Sequence, residues 1–513
     1  MTTPANITDQ PEAAVGREWP GVAEQFTAWC ARTPRAVAVE QDDRRWTYRD
    51  LEEKATAVAG LLARAGARPG TVVAVAGPKN VALVAAWLAA LSLRCVLLPL
   101  DPAQPDRARD GLLARAGARL LITTGAHPGR CGKAPVLHLH LDDGPARPGG
   151  RLTGRPDPAP GDGGYVFFTS GSTGTPKAIL GRHASLAHFL TWLRTTLNTG
   201  PGDRIPHLAG PGFDVALREV LLPLTCGATL LLPPPLLPPA RVPGWLADHR
   251  ATVVHTVPTV ARAWLRAAPP GIRLPTLRAL LFSGEPLTGT LTERWRDQLG
   301  HQGLVVNQYG PTETTLIRCW HPVPDSPPPG IVPLGRPIPG SEVWTETSPG
   351  VRAPAGTAGE IVIRTLHGTS GYLGNPAETA ARFVFGPGHL VTYRTGDLGV
   401  LDAGGVLHFH GRFDDQIKIH GVRFHLSGVE AALEAQPGVD HAAVTAAPGD
   451  DGGPPRLTAR LVLAPGHHQV PAGLRSALLD QLPAAAIPGE LLVVDALPRL
   501  PASGKLDRTR TTT

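Results

Sequence analysis

Along the first 400 residues the apolar positions alternate between two spacings. Leu51–Ala65 carries them at helical period, and Thr71–Ala76 is a short unbroken run of strand length. The exchange repeats as helix Val81–Leu93, strand Cys95–Leu98, helix Arg107–Ala116 and strand Leu120–Ile122. Strand patterns recur at Tyr165–Thr169, Thr229–Leu232, Thr252–Thr256, Ala279–Phe282 and Leu304–Val306. Alternation of this kind predicts an α/β fold of βαβ units with mostly parallel sheet. Residues 125–162, rich in Gly, Pro, His and Asp, read as a linking stretch around one strand, Val136–Leu141, and the Pro-rich residues 322–340 as irregular. From Gly359 to His410 the pattern becomes short strands, Glu360–Arg364 and Val406–Phe409. After Gly411-Arg412 a smaller αβ unit follows, with a helix at Ser427–Ala435 and strands at Ala442–Ala446 and Leu457–Val462. The expected organisation is a disordered tail over 1–18, a large domain over 19–413 and a small one over 414–513, the boundary lying near Asp414.

Val81–Leu100 has the length of a membrane span. Arg94 lies inside it, Pro99 lies near its end, and its character changes midway, so it reads as a buried helix followed by a strand. Hydrophobic residues make up 42% of the 513 and charged residues 18%, which suits a folded chain with a large core. The 59 Gly and 55 Pro follow no three-residue period, which excludes collagen. The net charge of +6 is spread along the chain without a basic block, so no nucleic-acid partner is expected. Five scattered cysteines without a C-x-x-C read as free thiols in a reducing, cytoplasmic compartment, and polar Met1–Arg17 is no signal peptide. Of 49 basic residues 43 are Arg and six are Lys. Where Arg is the default cation, a Lys marks a site that needs a compact ammonium on a flexible stem.

Three of those lysines sit in motifs. The first ends Tyr165-Val-Phe-Phe-Thr-Ser-Gly-Ser-Thr-Gly-Thr-Pro-Lys177, in which a strand runs into a loop of small hydroxyl residues. Gly171 and Gly174 let backbone N–H groups approach an anion, the hydroxyls of Thr169, Ser170, Ser172 and Thr173 add donors, and Lys177 closes the loop. This predicts phosphate binding. The Walker A spacing is absent, and so is the Gly-x-Ser-x-Gly that would make Ser172 a hydrolase nucleophile. The histidine pairs His138/His140, His408/His410 and His467-His468 lack a Cys or carboxylate at ligand spacing, so no zinc site is read from them.

The loop resembles the phosphate-binding signature of the superfamily of acyl-CoA synthetases, luciferases and nonribosomal peptide synthetase adenylation domains. Other segments agree in order: Trp46-Thr-Tyr-Arg-Asp-Leu51, Pro99-Leu-Asp-Pro102, Phe213-Asp214, Asn307-Gln-Tyr-Gly-Pro-Thr-Glu-Thr314, Gly371-Tyr-Leu373, Tyr393-Arg-Thr-Gly-Asp-Leu398, Gly411-Arg-Phe-Asp-Asp-Gln-Ile-Lys418 and Pro501-Ala-Ser-Gly-Lys505. The chain looks most like amino-acid adenylation domains. The resemblance implies sheets of βαβ type with a β-barrel-like subdomain, followed by a mobile α+β domain hinged at Asp414. It implies ATP and Mg2+, with Thr169, Ser170, Thr173 and Lys177 on the phosphates and Thr312 at the α-phosphate. Tyr309, beside Gly310, would lie against adenine, and Asn307 would meet its amino edge. Glu313 would ligate Mg2+, Asp397 would take the ribose hydroxyls with Arg412 nearby, and Lys505 would bridge the substrate carboxylate and ATP. Three positions depart from the family pattern: Ala178 replaces a Gly, and His425 and Gly428 replace acidic residues.

The resemblance also places a substrate pocket. Asp214 would pair with the substrate ammonium, and Val215, Arg218, His255, Leu281, Ser283, Gln308, Leu316 and Ile317 would line the rest. Asp214, Val215, His255, Leu281 and Ser283 resemble serine-type pockets, whereas Arg218 and Gln308 do not; in related pockets an Arg here serves a second carboxylate, and the other reading of Arg218 is that it points to solvent. The expected substrate is therefore polar, acidic or serine-like, with a β-amino acid open. Without a carrier-domain or condensation motif, the chain looks like a free-standing enzyme that loads a carrier protein in trans for natural-product biosynthesis. An acyl-CoA ligase is the alternative, and an activating partner of the MbtH-like type stays open.

Overall fold

A computed structural model describes residues 20–125, 137–141, 152, 162–169, 176–327, 330–412, 416–449, 453–464, 466–467 and 469–497. One six-stranded sheet runs in the order Leu137–Leu141, Leu120–Thr124, Val72–Ala76, Val96–Leu100, Gly163–Thr169 and Lys177–Arg182. The first five are parallel to their neighbours. The sixth returns antiparallel, setting Lys177 opposite Thr169. A second sheet aligns Val253–Thr256, Ala279–Ser283 and Leu304–Tyr309 in parallel, then adds Cys319–Pro322 and Arg336–Pro337 antiparallel. A four-stranded sheet joins Arg44–Thr47, Val37–Gln41, Thr229–Leu232 and Arg204–Pro206. Sheet is thus mostly parallel through the first 310 residues, and βαβ alternation is the reason.

Helix Val81–Ser92 is buried along its whole length and packs within this core. It is apolar on every side because it has no solvent face. Asn80 caps it by accepting from the Leu83 N–H at 2.9 Å. Twelve residues rise about 18 Å, well short of the roughly 30 Å of a bilayer core. Among the described residues no helix is long and apolar enough to cross a membrane.

Residues 341–412 form an antiparallel sheet in which Asp397 pairs in register with Arg412. Beyond it, the hairpin Gln416–Ile419/Val422–His425, helix Leu426–Glu434 and strands Val439–Ala447, Arg456–Leu463 and Glu490–Val493 enclose a separate core around Phe424, Val429, Leu433, Val444, Leu461 and Leu478. It touches the larger part through the Gly421 N–H, which donates to Glu285 Oε1 at 2.9 Å. Several elements extend past the sequence-based bounds. The largest omissions there were the helices His183–Leu197 and Val215–Cys226, which are buried on most faces and so carry no clear amphipathic period.

The core also encloses neutral imidazoles. Burial holds His183 and His301 down to about 4, and burial with the neighbouring Arg318 charge holds His367 down to about 3. His188, stacked on His367 at 3.5 Å, is lowered to about 2 by burial, then by His367 and Arg318. Unfolded histidine titrates near 6.5. Below that pH the unfolded chain binds protons that the folded chain refuses, so this stability is complete above about 6.5 and declines as pH falls toward the folded values. Between pH 6 and 5 the unfolding free energy should drop by more than about 1.4 kcal/mol, one proton's worth per pH unit. Urea unfolding midpoints across that range would show it, and a flat profile would contradict it.

Candidate active site

The phosphate-loop residues Ser170, Gly171, Ser172, Thr173 and Gly174 lie outside the described residues, as do Asp414 and Lys505. The two ends of the loop are placed by the sheet. Thr169 Oγ1 faces Glu313 Oε1 at 3.5 Å, and Tyr372 donates its hydroxyl to the same oxygen at 3.3 Å. Lys177 pairs with Glu378 and lies over the Tyr372 ring, 5.2 Å from its centre. Thr169, Lys177 and Glu313 are therefore together. Tyr372, Glu378 and Thr369, which donates to the Glu313 carbonyl at 2.6 Å, complete the cluster.

Glu313 is buried in the short helical turn Thr312–Thr314 that follows strand Leu304–Tyr309. The chain then turns through Thr315 and Leu316 with φ of 69° and 63°. Left-handed backbone is costly for non-glycine residues, above all for a β-branched one, and persists only where surroundings enforce it. Here Arg318 enforces it. Its guanidinium donates to the carbonyls of Thr314 at 2.6 Å, Thr315 at 3.1 Å and His367 at 2.5 Å. The Arg318 N–H returns to the Tyr309 carbonyl at 2.7 Å. Burial pushes this guanidinium down to about 9, still charged at neutral pH. Gly310 makes the return feasible, because a Cβ there would lie 2.5 Å from Ile317 Cα and 2.6 Å from the Leu316 carbonyl.

A second cluster lies at the end of the same strand. Tyr309 donates to Asp397 Oδ2 at 2.5 Å, and Arg412 pairs with Asp397 Oδ1. Burial and then the Asp397 charge push the Tyr309 hydroxyl well above its ordinary pKa, so it stays a donor. Asn307 gives its amide N–H groups to the carbonyls of Val332 and Pro333 at 3.2 and 2.9 Å. With both amide hydrogens engaged, the side-chain oxygen is the part of Asn307 left to accept a hydrogen bond.

The pocket residues also converge. Asp214 and Val215 begin helix Val215–Cys226, and Arg218 follows one turn later on the same face. Register places His255 beside Leu281 and Ser283 beside Gln308. Arg218 bridges them, donating to Gln308 Oε1 at 2.8 Å and to Ser283 Oγ at 2.7 Å. Leu316 and Ile317 are buried on the strained turn. Of the departing positions, Ala178 is a buried strand residue whose carbonyl accepts from the Leu373 N–H, His425 is buried, and Gly428 lies in helix Leu426–Glu434.

Sequence reasoning did not single out Arg318, Thr315 or Glu378. Arginine is too common here to signal anything by type, and Glu378 meets Lys177 from 201 residues away. The only sequence signal was the Gly371-Tyr-Leu373 motif, which contains Tyr372.

Two family models match: AMP-binding enzyme over residues 26–373 and AMP-binding enzyme C-terminal domain over residues 428–505. Phosphinothricin tripeptide synthetase PhsC of Streptomyces viridochromogenes is 38% identical over 93% of this chain and 44% of its own length. Enterobactin synthase component F of Escherichia coli is 32% identical over 95% of this chain and 38% of its own. The chain thus spans less than half the length of these relatives. Holo-PA1221, a nonribosomal peptide synthetase protein containing adenylation and PCP domains, superposes with a TM-score of 0.82 at 28% identity, covering 96% of this chain and 84% of that one. The chain belongs to the AMP-binding enzyme family, among the AMP-forming ligases that include the adenylation domains of nonribosomal peptide synthetases.

Proposed function

We propose that the chain activates an amino acid as its aminoacyl-adenylate and transfers the aminoacyl group to the phosphopantetheine thiol of a carrier protein. In the first step a substrate carboxylate oxygen attacks the α-phosphorus of ATP and pyrophosphate leaves. In the second the thiol sulfur attacks the adenylate carbonyl and AMP leaves. The carboxylate is already ionised, so the first step needs alignment and charge neutralisation rather than a base. The observation that carries the reading is the pairing of two clusters on one short segment. Tyr309, Asp397 and Arg412 offer a ribose and base seat, and Thr312, Glu313, Thr169 and Lys177 offer a polyphosphate seat. Tyr309 and Thr169, one from each cluster, end parallel strands at their carboxyl ends, where α/β sheets bind ligands. Glu313, with the hydroxyls of Thr169 and Thr312, supplies the hard oxygen donors that suit Mg2+, which would neutralise phosphate charge. Lys177 reaches the phosphates by leaving Glu378. Asp214, at the head of its helix, supports an ammonium-bearing substrate over a plain acid, and the polar lining supports a polar side chain.

We take residues 19–413 and 414–513 as two bodies that turn about Asp414. The separate core of the small unit and its Gly421–Glu285 contact support this. One site must first exclude water around ATP and later admit a thiol, and a rotation reconciles the two. The test is amino-acid-dependent pyrophosphate exchange followed by mass detection of the carrier thioester. Thioester on free coenzyme A but not on a carrier would favour an acyl-CoA ligase instead.

Two variants sharpen the reading. Gly310→Ala forces the strained turn apart and should lower exchange by about 100-fold with the fold retained, a loss of the size seen when one preorganised group is removed. Unchanged exchange would dissociate the turn from ATP. Lys505→Ala should slow adenylate formation by roughly two orders of magnitude and leave thioester formation from supplied adenylate nearly intact. Single-turnover kinetics of each step decide, and equal slowing of both would rule the rotation out.

A further inference from the structure

Arg218 lies deep in the proposed substrate pocket, 1% exposed. Two of its nitrogens are used, one on Gln308 and one on Ser283. Its Nε is buried and has no partner among the described residues. The same holds for Gln308 Nε2 and for both ring nitrogens of His255. Strand register places these side chains together, since His255 lies beside Leu281 and Ser283 beside Gln308 on adjacent strands. A buried polar atom without a partner costs about 1–3 kcal/mol, more when charged, so a native site seldom keeps several unless a ligand completes them.

The sign of the missing partner follows from chemistry. Arg Nε–H and the Gln amide N–H groups donate only. His255 is held well below its ordinary pKa by burial and then by the Arg218 charge, so it is a neutral ring with one N–H to give and one nitrogen that accepts. Arg218 is lowered by burial to about 10 and stays a cation at neutral pH. The pocket therefore offers three donor groups and one positive charge. Asp214 and Glu219 already act on that charge, but the Arg218 Nε–H, the Gln308 amide and the His255 N–H remain without acceptors among the described residues. A carboxylate can accept from all three at once, a hydroxyl from two at most, and an ammonium from none. Ser283, one of the residues that resemble serine-type pockets, is already bonded to Arg218.

Resting on the adenylation reading above, we infer that the activated amino acid is a dicarboxylic one, its side-chain carboxylate seated against Arg218, Gln308 and His255. Asp214 stands one helical turn from Arg218, so the pocket presents an anion and a cation to the ammonium and the distal carboxylate of one substrate. The α-carboxylate is left for ATP. Arg218 thereby acts as the specificity-determining residue, and Gln308 and Ser283 hold its plane.

The test is pyrophosphate exchange by the unmodified chain. The panel is aspartate, glutamate and 3-aminoglutarate, each beside its side-chain amide, with serine and lysine. One dicarboxylic acid should exceed its amide by at least about 100-fold in kcat/KM, because a site built to bind a charged group rejects the analogue that leaves its donors unpaired. Arg218→Met, which keeps bulk and removes charge, should erase that ratio. A neutral or basic amino acid as best substrate would overturn the inference and leave the adenylation reading standing. Exchange with no member of the panel would overturn the inference, and exchange with none of the proteinogenic amino acids would overturn the adenylation reading as well. An acid-to-amide ratio unchanged in Arg218→Met would also overturn it. The panel on the unmodified chain decides even where the variant fails to fold.

Discussion

The turn at Thr315 and Leu316 is held in a conformation that neither residue favours, and the Arg318 guanidinium holds it. Three backbone carbonyls around one buried cation fix the chain between Thr314 and His367. On one side of that turn the fixed backbone presents Glu313 toward Thr169 and Tyr372. On the other it brings Leu316 and Ile317 back beside Gly310. The proposed nucleotide seat and the proposed substrate pocket are therefore two faces of one strained segment. Tyr165 ties that segment to the first sheet through its hydroxyl, which donates to Thr315 Oγ1 at 3.1 Å. Burial deepens the effect, since a cation in low dielectric binds carbonyl dipoles more strongly than it would in water.

How much of this was legible depended on whether a residue's type was rare where it stood. The strand and loop ending in Lys177 stood out because lysine is scarce and the glycines fall at regular places. The strands Thr229–Leu232 and Ala279–Ser283 stood out because short apolar runs bounded by Gly, Pro or Arg have few other readings. Helix His183–Leu197 did not, because it buries polar His183, Ser185, His188 and Thr191 along with its apolar residues. Arg318 was invisible for the opposite reason: its type is the commonest cation of the chain, and its partners are carbonyls, which no sequence pattern records. The partnership of Lys177 with Glu378 depends on the fold alone.

The β-rich part between residues 341 and 412 illustrates a middle case. Its strands were readable, yet what matters is register, which sets Asp397 opposite Arg412 and within reach of Tyr309. A shift by one residue would turn Asp397 to the other face of the sheet. The paired charges, whatever they bind in the proposed ribose seat, penalise misalignment of the strand that carries them.

The bond pattern of Arg218 bears on how such a pocket can change over time. Its guanidinium is joined to Ser283 on one strand and to Gln308 on the next. Altering any one of the three leaves the others buried with unmet donors or acceptors. New selectivity is therefore reached more easily by exchanging the trio together than by single steps. A lineage that keeps this trio is held to its substrate by packing as much as by demand for the product, and a designer who wishes to retune it should treat the three positions as one residue.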